Sequence, residues 1–269
     1  MIHSIGLILL GVSMATNPTT WDSLAPGLEL GHLRTQEGQT GGATVVVLRI
    51  DPRHWNLDFA GISQADGARS KTAREWCGQL GFAAAINAGM FETDYKTHVG
   101  YLRVGDHVNS GHVTGYKSVA AFGPNEGQPR PPFRIFDLDS PGVTVESIVR
   151  DYRLVAQNLR LIQRPGVGKW GPQEKRWSEA ALGEDDRGRI LFIFSRSPFS
   201  MHELNRILLA SDLGLMAAQH LEGGPEAQLY VRAGDVDLEL TGSFETGFRE
   251  DDTNSAAWPV PNILGVRPR

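Results

Sequence analysis

Leu215-Met216-Ala217-Ala218-Gln219-His220-Leu221-Glu222-Gly223-Gly224-Pro225-Glu226 is an apolar run of strand length that stops at an acidic residue and two glycines. The run follows Gly214 and reads as a buried strand. Glu222 leaves the core at its edge, and the two glycines let a bound molecule approach the backbone. The alternative is a surface turn with two solvated glutamates. Upstream, Ile190 to Phe194 is fully apolar and reads as a central strand. Ser200 opens a helix with Glu203 at the capping-box position; Leu204, Ile207 and Leu208 continue one face, and Gly214 ends it.

The same order occurs earlier. Trp55 to Ala60 alternates as a half-buried strand. Lys71 to Leu80 reads as a helix with Thr72 as N-cap, Ala73, Trp76 and Leu80 on one face, and Gly81 closing it. Phe82 to Ile86 is then a short strand leading into Asn87-Ala88-Gly89-Met90-Phe91. Strand, helix, strand and glycine loop thus appear twice, without the identity that would mark a repeat. Both loops fall at strand ends, where open α/β sheets hold ligands.

Most of the remaining pattern is strand. Leu28 to Leu33, Ala43 to Ile50, Val99 to Val104, Val119 to Phe122, Phe133 to Leu138 and Val143 to Val145 all fit. Tyr152 to Ile162 reads as strand or mixed structure around a loop. Ser178 to Ala181 precedes a turn at Gly183 to Gly188. Leu229 to Val231 and Val236 to Leu240 form a hairpin, and Val260 to Val266 closes the fold.

The bulk numbers narrow the function. A chain of 269 residues with 41% hydrophobic content can bury a large core. A net charge of -5 gives no basic face for nucleic acid. Cys77 is the only cysteine, which rules out an internal disulfide and a thiolate zinc site and reads as a small buried residue. Ile5 to Val12 followed by Ser13-Met14-Ala15 resembles an export signal, although it has no Lys or Arg before it. The run is too short to span a bilayer, and no lipobox cysteine follows. We therefore expect a signal peptide at 1–15, a linker at 16–27 and one domain at 28–269. The product would be periplasmic or secreted, with no membrane anchor.

Asn87, at a strand end beside Gly89, offers an amide donor and acceptor at a close backbone approach; the alternative is a turn cap. Glu222 suits a general acid or base, or an electrostatic partner for a developing cation. His98, His107 and His112, with Asp94 and Asp106, match no zinc spacing and read as solvated or structural. Glu250-Asp251-Asp252 lacks a calcium-loop pattern. No metal ligand is assigned, the sequence requires no cofactor, and a divalent cation stays open. Trp170 and Trp177 flank a Gly/Pro loop and suit either sugar stacking or core packing.

Taken in order, VVVLRIDP, INAGMF with VGYLRVG, ILFIFSRSPFSMHEL and LGLMAAQHLEGGPEAQLYV resemble the phosphodiester glycosidase family over about Thr44 to Val266. The resemblance implies an α+β fold of mixed β-sheets flanked by helices, and cleavage of a glycosyl phosphodiester. It implies catalytic roles for Glu222 and Asn87. It implies substrate contacts at Gly89, Phe91, Gly100, Arg176, Arg196, Ser197, Gly223 and Gly224, with Glu203 in the same segment as Arg196 and Ser197. Glu222 would act as a carboxylate on the sugar cation, and Arg176 or Arg196 would neutralise the phosphate. Glu222 stands where the family usually has Asp. Pro225 and Glu226 replace a third glycine and a serine. Those departures support a rival reading, a non-catalytic carbohydrate- or envelope-binding protein that keeps the pocket. A third reading is a phosphodiesterase for non-sugar esters.

Overall fold

The computed structural model describes residues 18–35, 43–65, 67–127 and 129–269. The expected signal peptide at 1–15 lies outside them. The described chain opens with β1 (Thr20–Ala25), β2 (Leu28–Arg34), β3 (Thr44–Ile50) and β4 (Trp55–Gly61). Helix α1 (Ala73–Leu80) and β5 (Ala84–Asn87) follow. Then come β6 (Leu102–Val104), β7 (His107–Ser110), β8 (Ser118–Pro124) and β9 (Phe133–Asp137). Helix α2 (Val145–Asp151) leads into the long β10 (Tyr152–Gln163) and the short β11 (Val167–Gly168). The last part runs through β12 (Trp177–Asp185), β13 (Ile190–Phe199), α3 (Met201–Ala210) and β14 (Leu215–Gly223). It ends with β15 (Gln228–Ala233), β16 (Val236–Thr241) and β17 (Asn262–Pro268).

The architecture is α+β, as expected, with every ladder between these strands antiparallel. A large sheet has the order β1-β2-β3-β13-β12-β14-β10-β6-β7, with β8, β9 and β11 joined through β10. A smaller sheet has the order β16-β15-β5-β17-β4. One continuous core joins them, taking Leu48, Phe192 and Leu221 from the large sheet and Leu57, Ile86 and Leu264 from the small one. Helix α3 packs Leu204 and Leu208 with Val45 and Ile193 in a second cluster. Helix α1 packs Trp76 and Cys77 with Ala85 and Ile263.

The helix signals read from sequence are realised. Thr72 caps α1 in a capping box with Glu75, and Gly81 closes it at φ 69°, a left-handed conformation that glycine adopts at little cost. Ser200 and Glu203 form the matching box on α3.

Three expectations need correction. The stretch taken for a linker contains β1, an edge strand on β2. Trp21 lies under the Arg49 guanidinium at 3.6 Å and above Gly31, where a Cβ would come within 2.6 Å of the indole, and Leu24 and Ala25 pack against the main core. Trp21, Leu24 and Ala25 do not alternate, so no period of two betrays the strand. Val143 to Val145 is not a strand: Val145 begins α2, because Thr144 accepts a hydrogen bond from Ser147 N and local capping outweighs the β-branched side chains. Gly183 does not start a turn, since β12 continues to Asp185. A Cβ there would press on Leu215 at 2.8 Å and Ile193 at 3.1 Å, so this glycine permits close packing.

Topology also changes the setting of the two glycine loops. β5 belongs to the small sheet and β14 to the large one. The loops therefore meet across the seam between two antiparallel sheets, not along the edge of one open α/β sheet.

Candidate active site

The seam is closed by Asn87. Its Nδ2 donates to the Glu226 carbonyl at 3.0 Å, and its Oδ1 accepts from Gln228 N at 2.7 Å. Both ends of the amide are thus used to tie the end of β5 to the chain leaving β14. Asn87 is buried, and this geometry gives it a positioning role. From the other side, Asn158 Nδ2 on β10 donates to the Ala88 carbonyl at 3.1 Å. Gly89, at φ 148°, lies against Asn158 and His98 so closely that a Cβ would collide with both. Gly100 likewise lies against the Gln157 carbonyl. The glycines of the first motif are there for backbone approach, and what approaches is the protein itself.

His98 is buried, and its Nε2 donates to the Gln157 carbonyl at 2.9 Å. Burial pushes its pKa down to about 4, so the ring is neutral, and its Nδ1 has no partner. The structural reading of this histidine is the one realised. Phe91 stacks obliquely on Tyr95, with ring centroids 5.5 Å apart.

Glu222 sits at the end of β14, paired in register with Ala180 of β12. The β12–β14 register skips Leu221, with Ala181 opposite His220 and Ala180 opposite Glu222, so Glu179 and His220 meet on one face while alternation is broken between His220 and Glu222. Glu179 receives the Trp177 indole N–H at 2.6 Å and lies 2.7 Å from His220 Nδ1. The Trp177 and His220 rings meet edge to face at 5.8 Å. Burial alone would push the His220 imidazolium down. The Glu179 carboxylate, with Glu222 and Glu245 beyond, outweighs that and holds its pKa above the ordinary value. His220 and Glu179 are both almost fully buried, and the two are hydrogen-bonded to each other inside the protein.

Glu222 is pushed the other way. Burial raises its carboxyl to about 8, opposed by His220 and assisted by the negative charge of Glu226 and Glu245. It therefore carries a proton at neutral pH, although its Oε1 accepts from Gly223 N at 3.1 Å. Glu226 and Glu245 are raised as well, burial first. Glu245 stands over Gly224, where a Cβ would come within 2.5 Å of Glu245 Oε2. The Tyr116 hydroxyl is raised by burial, then by Glu92 and Glu222, so the 111–117 loop and the loop after Phe91 border the same cluster.

The arginines expected to meet phosphate are engaged elsewhere. Arg176 Nη2 bonds Glu203 Oε1 at 2.6 Å, tying the start of β12 to α3. Arg196 donates to the carbonyls of Thr241 and Asn254, both at 2.8 Å, and pairs with Asp252. It pins the loop that carries Glu245. Ser197 offers its carbonyl to Ser195 Oγ at 2.9 Å. Gly223 lies under Trp177, 2.9 Å from a would-be Cβ. The basic group beside Glu222 is thus His220, a residue quoted in the second motif but given no role there. Glu179, Glu245 and Tyr116 were also missed. The available signal was the spacing of two between Trp177 and Glu179; the register slip at Leu221 hides the corresponding relation between His220 and Glu222. Among the described residues, no group of three His, Cys, Asp or Glu side chains is arranged to hold a metal ion.

The family model for phosphodiester glycosidases matches residues 81–267, from the strand before Asn87 to the last strand. The chain belongs to the phosphodiester glycosidase family. Among solved structures, the catalytic domain of zebrafish N-acetylglucosamine-1-phosphodiester alpha-N-acetylglucosaminidase, auto-inhibited by its pro-peptide, is similar at TM-score 0.62 and 14% identity. That similarity covers 95% of this chain and 89% of the other. A hypothetical protein from Synechocystis is similar at TM-score 0.61 and 17% identity, over 95% of this chain. The match spans 64% of the Synechocystis chain. At these identities the likeness shows the fold. No curated protein sequence matches the chain.

Proposed function

We propose that this family member hydrolyses a glycosyl phosphodiester at the Glu179–His220–Glu222 cluster. The observation that carries the reading is the buried His220–Glu179 hydrogen bond at 2.7 Å next to Glu222, at the meeting of both family motifs, with burial raising the Glu222 carboxyl to about 8. An anionic phosphodiester would be repelled by a row of ionised carboxylates. A neutral Glu222 donates a hydrogen bond to it instead, and His220, whose pKa Glu179 holds above the ordinary value, is the basic group that would offset its charge.

In the reaction, the bond between the anomeric carbon and the phosphate oxygen breaks with its electron pair on that oxygen. Glu222 gives its proton to the departing oxygen. Water adds to the anomeric carbon and loses its proton to the Glu226–Glu245 carboxylate pair, whose raised pKa values make them better bases than ordinary glutamates. The products are a free sugar and a phosphate monoester. Glu222 is then an acid, where the sequence resemblance had implied a carboxylate, and the arginines hold loops.

Hydrolysis of a chromogenic sugar phosphodiester tests this directly. Glu222→Gln keeps a neutral donor of the same shape but cannot release a proton, and turnover should fall by about two orders of magnitude or more. Undiminished turnover of a good substrate in that variant would discard the assignment. Binding of the same compound without turnover by the unaltered protein would favour the rival carbohydrate-binding reading, which Pro225 and Glu226 support. Export rests on the Ile5 to Val12 run; a secreted product beginning near Thr16 is the expected result of N-terminal sequencing after expression with the full leader.

A further inference from the structure

A groove of about 460 Å³ opens beside α3, bounded by Gly168, Trp170, His202, Asn205 and Leu209. It lies away from the carboxyl cluster, but the same loop serves both. Trp170 is at one end of the segment, and Trp177, against His220, is at the other. We propose that this groove is a subsite for a neutral pyranose ring of the glycan chain whose phosphodiester is cut at Glu222. The inference rests on the glycosidase reading and adds an extended, oligomeric substrate to it.

The groove is built for a ring. Trp170 Nε1 donates to the Arg160 carbonyl at 2.9 Å, and its own carbonyl pairs with His202 Nδ1 at 2.7 Å. The indole is thereby fixed at its edge and its backbone, while Gly168 opposite has no side chain to cover the groove. A rigid aromatic face beside a gap is suited to the apolar C–H face of a sugar. Polar partners for hydroxyls stand at the rim. With Nδ1 donating to the Trp170 carbonyl, His202 leaves Nε2 for a hydroxyl. Asn205 is almost fully buried, and its Nδ2 donates to the Leu161 carbonyl at 2.8 Å. That bond fixes the amide orientation, because a flip would set oxygen against oxygen, and it anchors α3 to β10 under the groove, with Oδ1 itself enclosed by protein. Leu209, itself exposed, lines the apolar side of the groove.

Two variants test the subsite without touching the carboxyl cluster. Trp170→Ala removes the platform. Gly168→Phe crowds the groove instead: a Cβ there meets Leu209 Cδ1 at 3.4 Å and Asn205 at 3.7 Å, ordinary contacts, and circular dichroism and the melting temperature check that the fold is kept. The probe is the uncharged N-acetylglucosamine tetramer, titrated by calorimetry and by tryptophan fluorescence. Both variants should bind it about five- to tenfold more weakly than the unaltered protein. Both should hydrolyse a monosaccharide phosphodiester with unchanged kcat/KM. Loss of tetramer affinity with no hydrolysis in any form would retain the subsite and remove the glycosidase reading. No binding of the tetramer to the unaltered protein, or equal binding by Gly168→Phe, would overturn the subsite itself.

Discussion

Replacing Glu222 by Gln should make the protein more stable at neutral and alkaline pH while it loses activity. In the unfolded chain a glutamate ionises near 4.5; in the fold, burial holds Glu222 protonated up to about 8. Between those values the folded state binds more protons than the unfolded one, so stability falls as pH rises. The loss is about 1.4 kcal/mol for each pH unit, and the contribution is fully present only below about 4.5. At pH 7 the unaltered protein should therefore lie about 3 kcal/mol below what a non-titrating side chain would allow. Glutamine has nearly the same shape and no proton to lose. For a chain of this size, about 3 kcal/mol corresponds to roughly 6–12 °C in melting temperature. The assay is thermal unfolding of both proteins at pH 5, 6, 7 and 8, followed by circular dichroism. Their melting curves should nearly coincide at pH 5 and separate progressively to pH 8. A difference that does not change with pH, or that shrinks as pH rises, would refute the burial argument for Glu222.

Activity should follow the same proton: kcat/KM for a sugar phosphodiester falls as pH rises through about 8, and a profile still rising there would argue against an acid role. Asn87→Ala removes two hydrogen bonds, leaves the buried Gln228 N–H unpaired and leaves the Glu226 carbonyl only a long bond from Gln228 Nε2; denaturant titration should show a loss of about 1–3 kcal/mol. Gly89→Ala forces a methyl group into Asn158 and His98 at a φ that L-residues avoid, and the expected loss exceeds about 3 kcal/mol, read as failure to give soluble folded protein at 37 °C. Cys77, buried with its thiol pushed up to about 12, should react with a disulfide reagent only after denaturant is added.

Local signals carried far in this chain. The caps at Thr72, Ser200 and Gly81 act within one turn, and each was legible because its partner is three or four residues away. The two glycine loops were legible for a related reason, as apolar runs that stop at glycine. Other features depend on partners distant in sequence. Arg196 looked available for phosphate because nothing near it shows that the carbonyls of Thr241 and Asn254 will surround it. Glu179 looked like one more strand residue until β12 and β14 paired and brought His220 beside it, 41 positions away. The proton on Glu222 was equally hidden, since burial and a neighbouring carboxyl group are properties of the folded state. Residue types were readable at the site; their charge states and occupied partners were not.

The positions of β3 and β4 bear on how the protein can be cut. The segment matched by the family model starts at residue 81, after both strands. Yet β3 lies between β2 and β13 in the large sheet, and β4 is the outer partner of β17 in the small one. A fragment starting at residue 81 would bare the full hydrogen-bonding edge of β13, whose Ile190 to Ser195 register with β3 is continuous, and the edge of β17 from Asn262 to Pro268. Two unpaired edges, one carrying Ile190, Leu191, Phe192, Ile193 and Phe194, invite chain-to-chain pairing. What is shared across the family and what can fold by itself are different lengths of chain here, and a truncation to the shared part should yield aggregate rather than a smaller enzyme.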